Sequence, residues 1–83
     1  MSNTVQFVNR TRGMFSVKLE NGEYSVIEQV DTNEITVGDE IDGELDVTGS
    51  AEIENITTGD TFSVIIQNVN CSQHQAMNRV ILH

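Results

Sequence analysis

The side chains of this 83-residue sequence that could do chemistry fall into three groups, and none has the make-up of a catalytic centre. The first is Cys71 and His74, at Cys-x-x-His spacing. A structural zinc site needs four ligands, and His83 is the sole remaining nitrogen or sulfur donor of that kind, so the spacing does not make a metal centre. A thiol at a helix N-terminus can be activated, but a small packed residue is the stronger expectation for Cys71. No nucleophile elbow, acid–base pair in a plausible cleft or phosphate-cradling glycine loop occurs. The expectation is a protein that is not an enzyme and has neither cofactor nor metal.

The second group is cationic. Lys and Arg number 4 against 13 Asp and Glu, for a net charge of −9. Three of the four, Arg10, Arg12 and Lys18, lie within the first 19 residues, which hold no acid; residues 20–83 set one cation against all thirteen acids. This reads as a basic lip on an acidic body. With Tyr24 close in sequence it is the one place where cation and ring coincide, the combination that binds single-stranded nucleic acid. The plainer reading is that these charges solubilise a turn and pair with nearby carboxylates. The acidic body repels phosphate and anionic membranes everywhere else.

The third group is a row of carboxylates. Asp42, Glu44 and Asp46 alternate along one predicted strand, and Glu52 and Glu54 on the next lie within cross-strand reach. Like charges facing each other destabilise a sheet, so the row suits a basic protein partner that relieves the repulsion. A shallow cation site is disfavoured, because extended strands lack the loop that wraps oxygens around calcium. Equally, the row reads as a solvated face whose charge prevents edge-to-edge association.

What must position these groups is a β structure. Ile, Val and Thr total 26 and cluster in short runs between Gly, Asn and Asp. Asn21-Gly22 between two alternating runs predicts a hairpin over residues 14–28 with a two-residue type I′ turn. That turn pairs Glu20 with Glu23, Leu19 with Tyr24, Val17 with Val26 and Phe15 with Glu28, and places Phe15, Val17, Leu19, Tyr24 and Val26 on one face. Further strands are expected over 4–9, 41–47, 51–56 and 61–69. Ser72-Gln73-His74-Gln75 has capping-box spacing, so a short helix is expected from about Ser72, with Ala76, Met77, Val80 and Ile81 docked on the sheet or barrel mouth.

Eighty-three residues make one domain with one small core, and a single cysteine rules out an internal disulfide. The 24 Ile, Val, Leu and Phe residues are too many for a disordered tail. No apolar run approaches the roughly eighteen residues of a membrane span, and residues 1–20 lack a signal-peptide pattern, so a soluble cytoplasmic protein is expected. The expected fold is a small all-β barrel of five or six strands, OB-like or alternatively SH3-like, with a C-terminal helix. Its predicted core is Phe7, Phe15, Val17, Val26, Ile41, Leu45, Ile53, Phe62, Val64 and Ile66.

Two segments carry a family resemblance. Gly13-Met14-Phe15-Ser16-Val17-Lys18-Leu19-Glu20-Asn21-Gly22-Glu23-Tyr24-Ser25-Val26-Ile27 resembles the second and third strands of the OB-fold RNA-binding repeat of ribosomal protein S-one, and more loosely the cold-shock domain. Val37-Gly38-Asp39-Glu40-Ile41 is similar to the glycine-aspartate step that opens the family's fourth strand. The resemblance implies an OB barrel and a non-catalytic module for single-stranded nucleic acid, with Arg10, Arg12, Lys18 and Tyr24 as the contact residues. In that family, rings and a histidine line the outer face of strands two and three; this chain has few rings, and Glu28 stands near the histidine's place.

Overall fold

Alternation of apolar and polar residues buries one face of each strand, and six such strands close on themselves. The computed structural model describes residues 3–30 and 34–81. The strands are β1 (Asn3–Asn9), β2 (Met14–Lys18), β3 (Tyr24–Gln29), β4 (Glu40–Asp42), β5 (Gly49–Asn55) and β6 (Asp60–Cys71), followed by helix α1 (Gln73–Val80). They form a closed antiparallel barrel in the order β1-β2-β3-β6-β5-β4, with β4 returning to β1. The expected small all-β barrel with a short C-terminal helix is therefore the fold.

The hairpin β2–β3 forms, but not with the expected turn. Lys18 pairs with Tyr24, Val17 with Ser25, Ser16 with Val26 and Phe15 with Ile27, one residue out of the type I′ register. Leu19 N–H donates to the Glu23 carbonyl at 2.8 Å and Gly22 N–H to the Leu19 carbonyl at 3.0 Å, with Gly22 alone at positive φ (86°). This is a three-residue loop with glycine in the left-handed position. Asn21 favours it by accepting the Glu23 N–H on its own carboxamide at 2.9 Å, the local bond that lets Asn compete with a tighter turn.

A one-residue slip exchanges the faces of β3 relative to β2. Phe15, Val17 and Ile27 point into the barrel, whereas Tyr24 and Val26 point outward. In β1 an irregularity between Val5 and Phe7 does the same: Val5 pairs with Val17, but Phe7 pairs with Ser16. Phe7 and Val26, both expected in the central core, instead join Tyr24, Cys71, Ala76 and Val80 in a second cluster. The interior holds Val5, Phe15, Val17, Ile27, Ile35, Ile41, Leu45, Ile53, Phe62, Val64 and Ile66.

The strand expected over 41–47 stops at Asp42. Gly43 sits at φ 145°, away from the negative φ of a strand, and a Cβ there would lie 3.0 Å from Ile53 Cγ2, so glycine turns the chain out of the β4–β5 ladder at this point. Leu45 stays buried with its carbonyl accepting the Ser25 hydroxyl, but Val47 is 56% exposed rather than inward. Short as it is, β4 is fixed by polar contacts. The Asp39 carboxylate accepts the Thr36 N–H at 3.0 Å and the Asn55 carboxamide N–H at 2.9 Å, while the Asn55 side-chain oxygen Oδ1 accepts the N–H groups of Thr57 and Thr58 at 3.0 and 3.3 Å.

Asn55 and Asp39 are both buried, so removing the Asn55 side chain takes one of two N–H donors from the Asp39 carboxylate and leaves the N–H groups of Thr57 and Thr58 without their acceptor. Asn55→Ala is expected to cost about 3 kcal/mol in urea unfolding, the scale for stranding a buried charged group. A loss below about 1 kcal/mol, the worth of an ordinary hydrogen bond, would show that barrel closure does not rest on this pair.

Candidate functional site

The helix-covered face explains where the functional candidates lie. Ser72 caps α1 as expected: its hydroxyl accepts the Gln75 N–H at 3.2 Å, and the Gln75 side chain accepts the Ser72 N–H at 2.9 Å. Eight residues at a 1.5 Å rise make α1 about 12 Å long, enough to run along most of the roughly 16 Å of five-residue β2. The helix thus starts beside Tyr24, which pairs with Cys71, and ends beside β1, where the Asn9 carboxamide donates to the Val80 carbonyl at 2.9 Å. Ala76 and Val80 are fully buried on Tyr24 and Val26, Met77 is half-buried, and Ile81 is exposed.

This arrangement carries Arg79, in the last turn, to the β1–β2 turn. Arg12, Met14, Glu28, Gln67, Asn68 and Arg79 line an open cleft of about 370 Å³ there. Both arginines are exposed, and Glu28 accepts the Gln67 carboxamide N–H at 2.6 Å. Among the described residues no carboxylate forms an ion pair with Arg12 or Arg79. Two guanidinium groups, two carboxamides and the Met14 thioether can hold an anionic group and hydrogen-bond a polar edge beside it.

The expected basic lip is therefore divided. Arg10 and Arg12 sit in the β1–β2 turn, and Arg10 donates to the Ile35 carbonyl at 2.9 Å. Lys18 is at the other end of β2, exposed and paired with Tyr24. Tyr24 is only 5% exposed, packed under α1 with its ring centroid 6.3 Å from Phe7 and an interplanar angle of 25°. It does not offer a free face for stacking while the helix is seated. Sequence reasoning missed Arg79, Gln67 and Asn68, because only the docking of α1 and the course of β6 bring them beside Arg12.

The carboxylate row survives in altered form. Asp42 pairs directly with Glu54 across β4 and β5, and Glu52 lies two residues along the same face; all three are exposed. Glu44 and Asp46 are exposed too, on the irregular segment after β4 rather than on a strand. A second, smaller cleft of about 290 Å³ at that end includes Glu20, Asn21, Leu45 and Asp46.

Cys71 is 6% exposed and its thiol donates to the Val69 carbonyl at 3.7 Å, so it is a packing residue of the second cluster. Among the described residues no group of three or more His, Cys, Asp or Glu side chains could hold a metal ion; His83, the third zinc candidate, lies outside them. Among them too, no helix is long and apolar enough to cross a membrane. No family model, curated protein or solved structure matches the chain.

The seat of α1 has one flaw. The Ser16 hydroxyl is buried on the outer face of β2 without a hydrogen-bond partner. Ser16→Ala is expected to raise unfolding stability by about 1 kcal/mol, because an unsatisfied hydroxyl costs more than a methyl group of similar size. An unchanged or lowered urea midpoint would mean that the hydroxyl has found a partner.

Proposed function

We propose that the chain is a non-catalytic binding module that seats a single-stranded nucleic acid at the cleft between α1 and the β1–β2 turn. The observation that carries this reading is the convergence of Arg12 and Arg79, two of only four Lys and Arg residues, on one cleft with no carboxylate paired to either among the described residues. Guanidinium groups bind phosphate oxygens in pairs, and the Gln67 and Asn68 carboxamides beside them suit the polar edge of an unpaired base. Arg10 in the same turn extends the cationic path. The resemblance of residues 13–27 to an OB-fold RNA-binding repeat points the same way. The contact set is thus Arg12, Arg79 and Arg10, with Lys18 peripheral and Tyr24 covered.

Fluorescence anisotropy with short labelled RNA and DNA at low salt tests this. Two or three phosphate contacts predict a log K against log salt slope of about −1.4 to −2. Arg12→Gln and Arg79→Gln should each reduce the slope by about 0.7. Absence of binding at high-micromolar protein overturns the reading.

A second reading, a module for a basic protein partner, is favoured by one observation. Asp42 and Glu54 are tolerated as direct cross-strand neighbours on an exposed face. Neutralising Asp42, Glu44 and Asp46 together as Asn, Gln and Asn is expected to raise the thermal midpoint at low salt, with the gain vanishing near about 1 M salt, where the Debye length is about 3 Å. For this reading to hold, an oligolysine peptide must also stabilise the native chain and leave the neutralised variant unaffected. Equal effects on both would leave only a solvated face.

A further inference from the structure

The cleft is built from two parts that need not stay together. Arg12, Met14, Glu28, Gln67 and Asn68 belong to the barrel and its β1–β2 turn; Arg79 belongs to α1. An eight-residue helix is too short to be stable by itself, so it exists only while docked. Its hold is modest. Ala76 and Val80 are its buried side chains, the Asn9 to Val80 bond fixes its C-terminal end, and the seat contains the unsatisfied Ser16 hydroxyl. Docking also brings the Arg79 guanidinium into the same cleft as that of Arg12, with no carboxylate paired to either among the described residues. Like charges in one cleft oppose the docked position.

An anion reverses that balance. We propose that a phosphate group bridging Arg12 and Arg79 latches α1 onto the barrel, so that ligand occupancy and helix docking are one coupled equilibrium. This rests on the reading of the cleft as a phosphate-binding site. Seating phosphate removes the repulsion and replaces it with charge-assisted bonds from both parts of the protein. By linkage, the factor by which the ligand favours the docked helix is the factor by which docking tightens the ligand. The latch leaves Tyr24 and Phe7 covered in the bound state, so it separates this site from ring stacking on the outer face of β2 and β3.

Amide hydrogen exchange on the full chain tests the proposal, read at Ala76 to Ile81, where Ala76 N–H donates to the Ser72 carbonyl and Ile81 N–H to the Met77 carbonyl. The probes are an eight-residue oligothymidylate and inorganic phosphate. Saturating oligonucleotide is expected to slow exchange in α1 by about fivefold or more, the scale of coupling between linked sites, with little change in β5. Arg79→Gln and Arg12→Gln should each abolish the added protection, and Arg79→Lys should retain part of it. The Arg12 variant changes only the barrel side and so keeps the test valid if the helix variant docks poorly.

Tyr24 is the chain's one tyrosine and there is no tryptophan, so acrylamide quenching of its fluorescence reports the same docking with phosphate as probe. Quenching should fall as phosphate binds. Oligonucleotide binding with unchanged exchange in α1 overturns the latch and leaves the binding reading intact. Protection by phosphate without oligonucleotide binding supports the latch and removes nucleic acid as the ligand. If neither probe protects α1 and neither binds, both fall.

Discussion

The structure depends on closing a sheet with a strand only three residues long. β4 pairs two residues with β1 and two with β5, far less than the seven paired positions between β5 and β6. Polar contacts around Asp39 and Asn55 supply what the ladder lacks. Val5 N–H donates to the Asp39 carbonyl and Gly38 N–H to the Val5 carbonyl, while Ile56 N–H reaches the Glu40 carbonyl and Glu40 N–H the Thr57 hydroxyl. The segment from Thr36 to Asp42 is thus tied to β1 on one side and to the β5–β6 turn on the other. The bonds of the Asp39 and Asn55 side chains lie wholly or partly out of water, so they are stronger than surface bonds and costlier to break, which favours a single closed geometry over slipped alternatives.

Closure uses one face of each strand, and a six-stranded barrel has little interior to fill. The outer face of β1, β2 and β3 carries a second apolar set, created by the irregularity near Gln6 and by the three-residue β2–β3 loop. Left open, Phe7, Tyr24 and Val26 would form a patch on a small and marginal domain. α1 covers it. Its start after Cys71, the residue paired with Tyr24, and the Asn9 to Val80 bond at its end set Arg79 beside the β1–β2 turn, so the position of the cleft follows from the burial of this face.

Patterns confined to one element were legible in the sequence. The capping box placed the start of α1 at Ser72, and alternation placed Val64 and Ile66 inside β6 with Ile65 outside. What failed depended on one residue's surroundings. Asn-Gly fits both a two-residue and a three-residue loop, and the Asn21 to Glu23 bonds decide between them. The alternation over 41–47 is regular in sequence, yet Gly43 takes a positive φ that ends the strand, a conformation that the alternation of side chains does not reveal. Likewise Arg79, the basic residue in the last turn of α1, is by itself one cation beside a helix C-terminus. Its relation to Arg12 is a product of topology.

The charge imbalance does not decide against an anion at the cleft once distance is considered. In the closed order β1-β2-β3-β6-β5-β4, the Asp42–Glu54 face belongs to β4 and β5, whereas the cleft is made by the β1–β2 turn, β3, β6 and α1. The Cα framework measures 29 × 28 × 23 Å, and charges project outward from it. At physiological salt the Debye length is about 8 Å, so carboxylates on the far wall contribute little at the cleft. The carboxylate that lines the cleft, Glu28, is engaged by Gln67 and has no pairing with either arginine. Net charge therefore governs approach from a distance, making encounter slow and salt-dependent, while the local sign at the cleft is set by Arg12 and Arg79. A chain at −9 can present a cationic site where carboxylates such as Asp42 and Glu54 stand on a different wall and the one lining the site, Glu28, is held by a carboxamide.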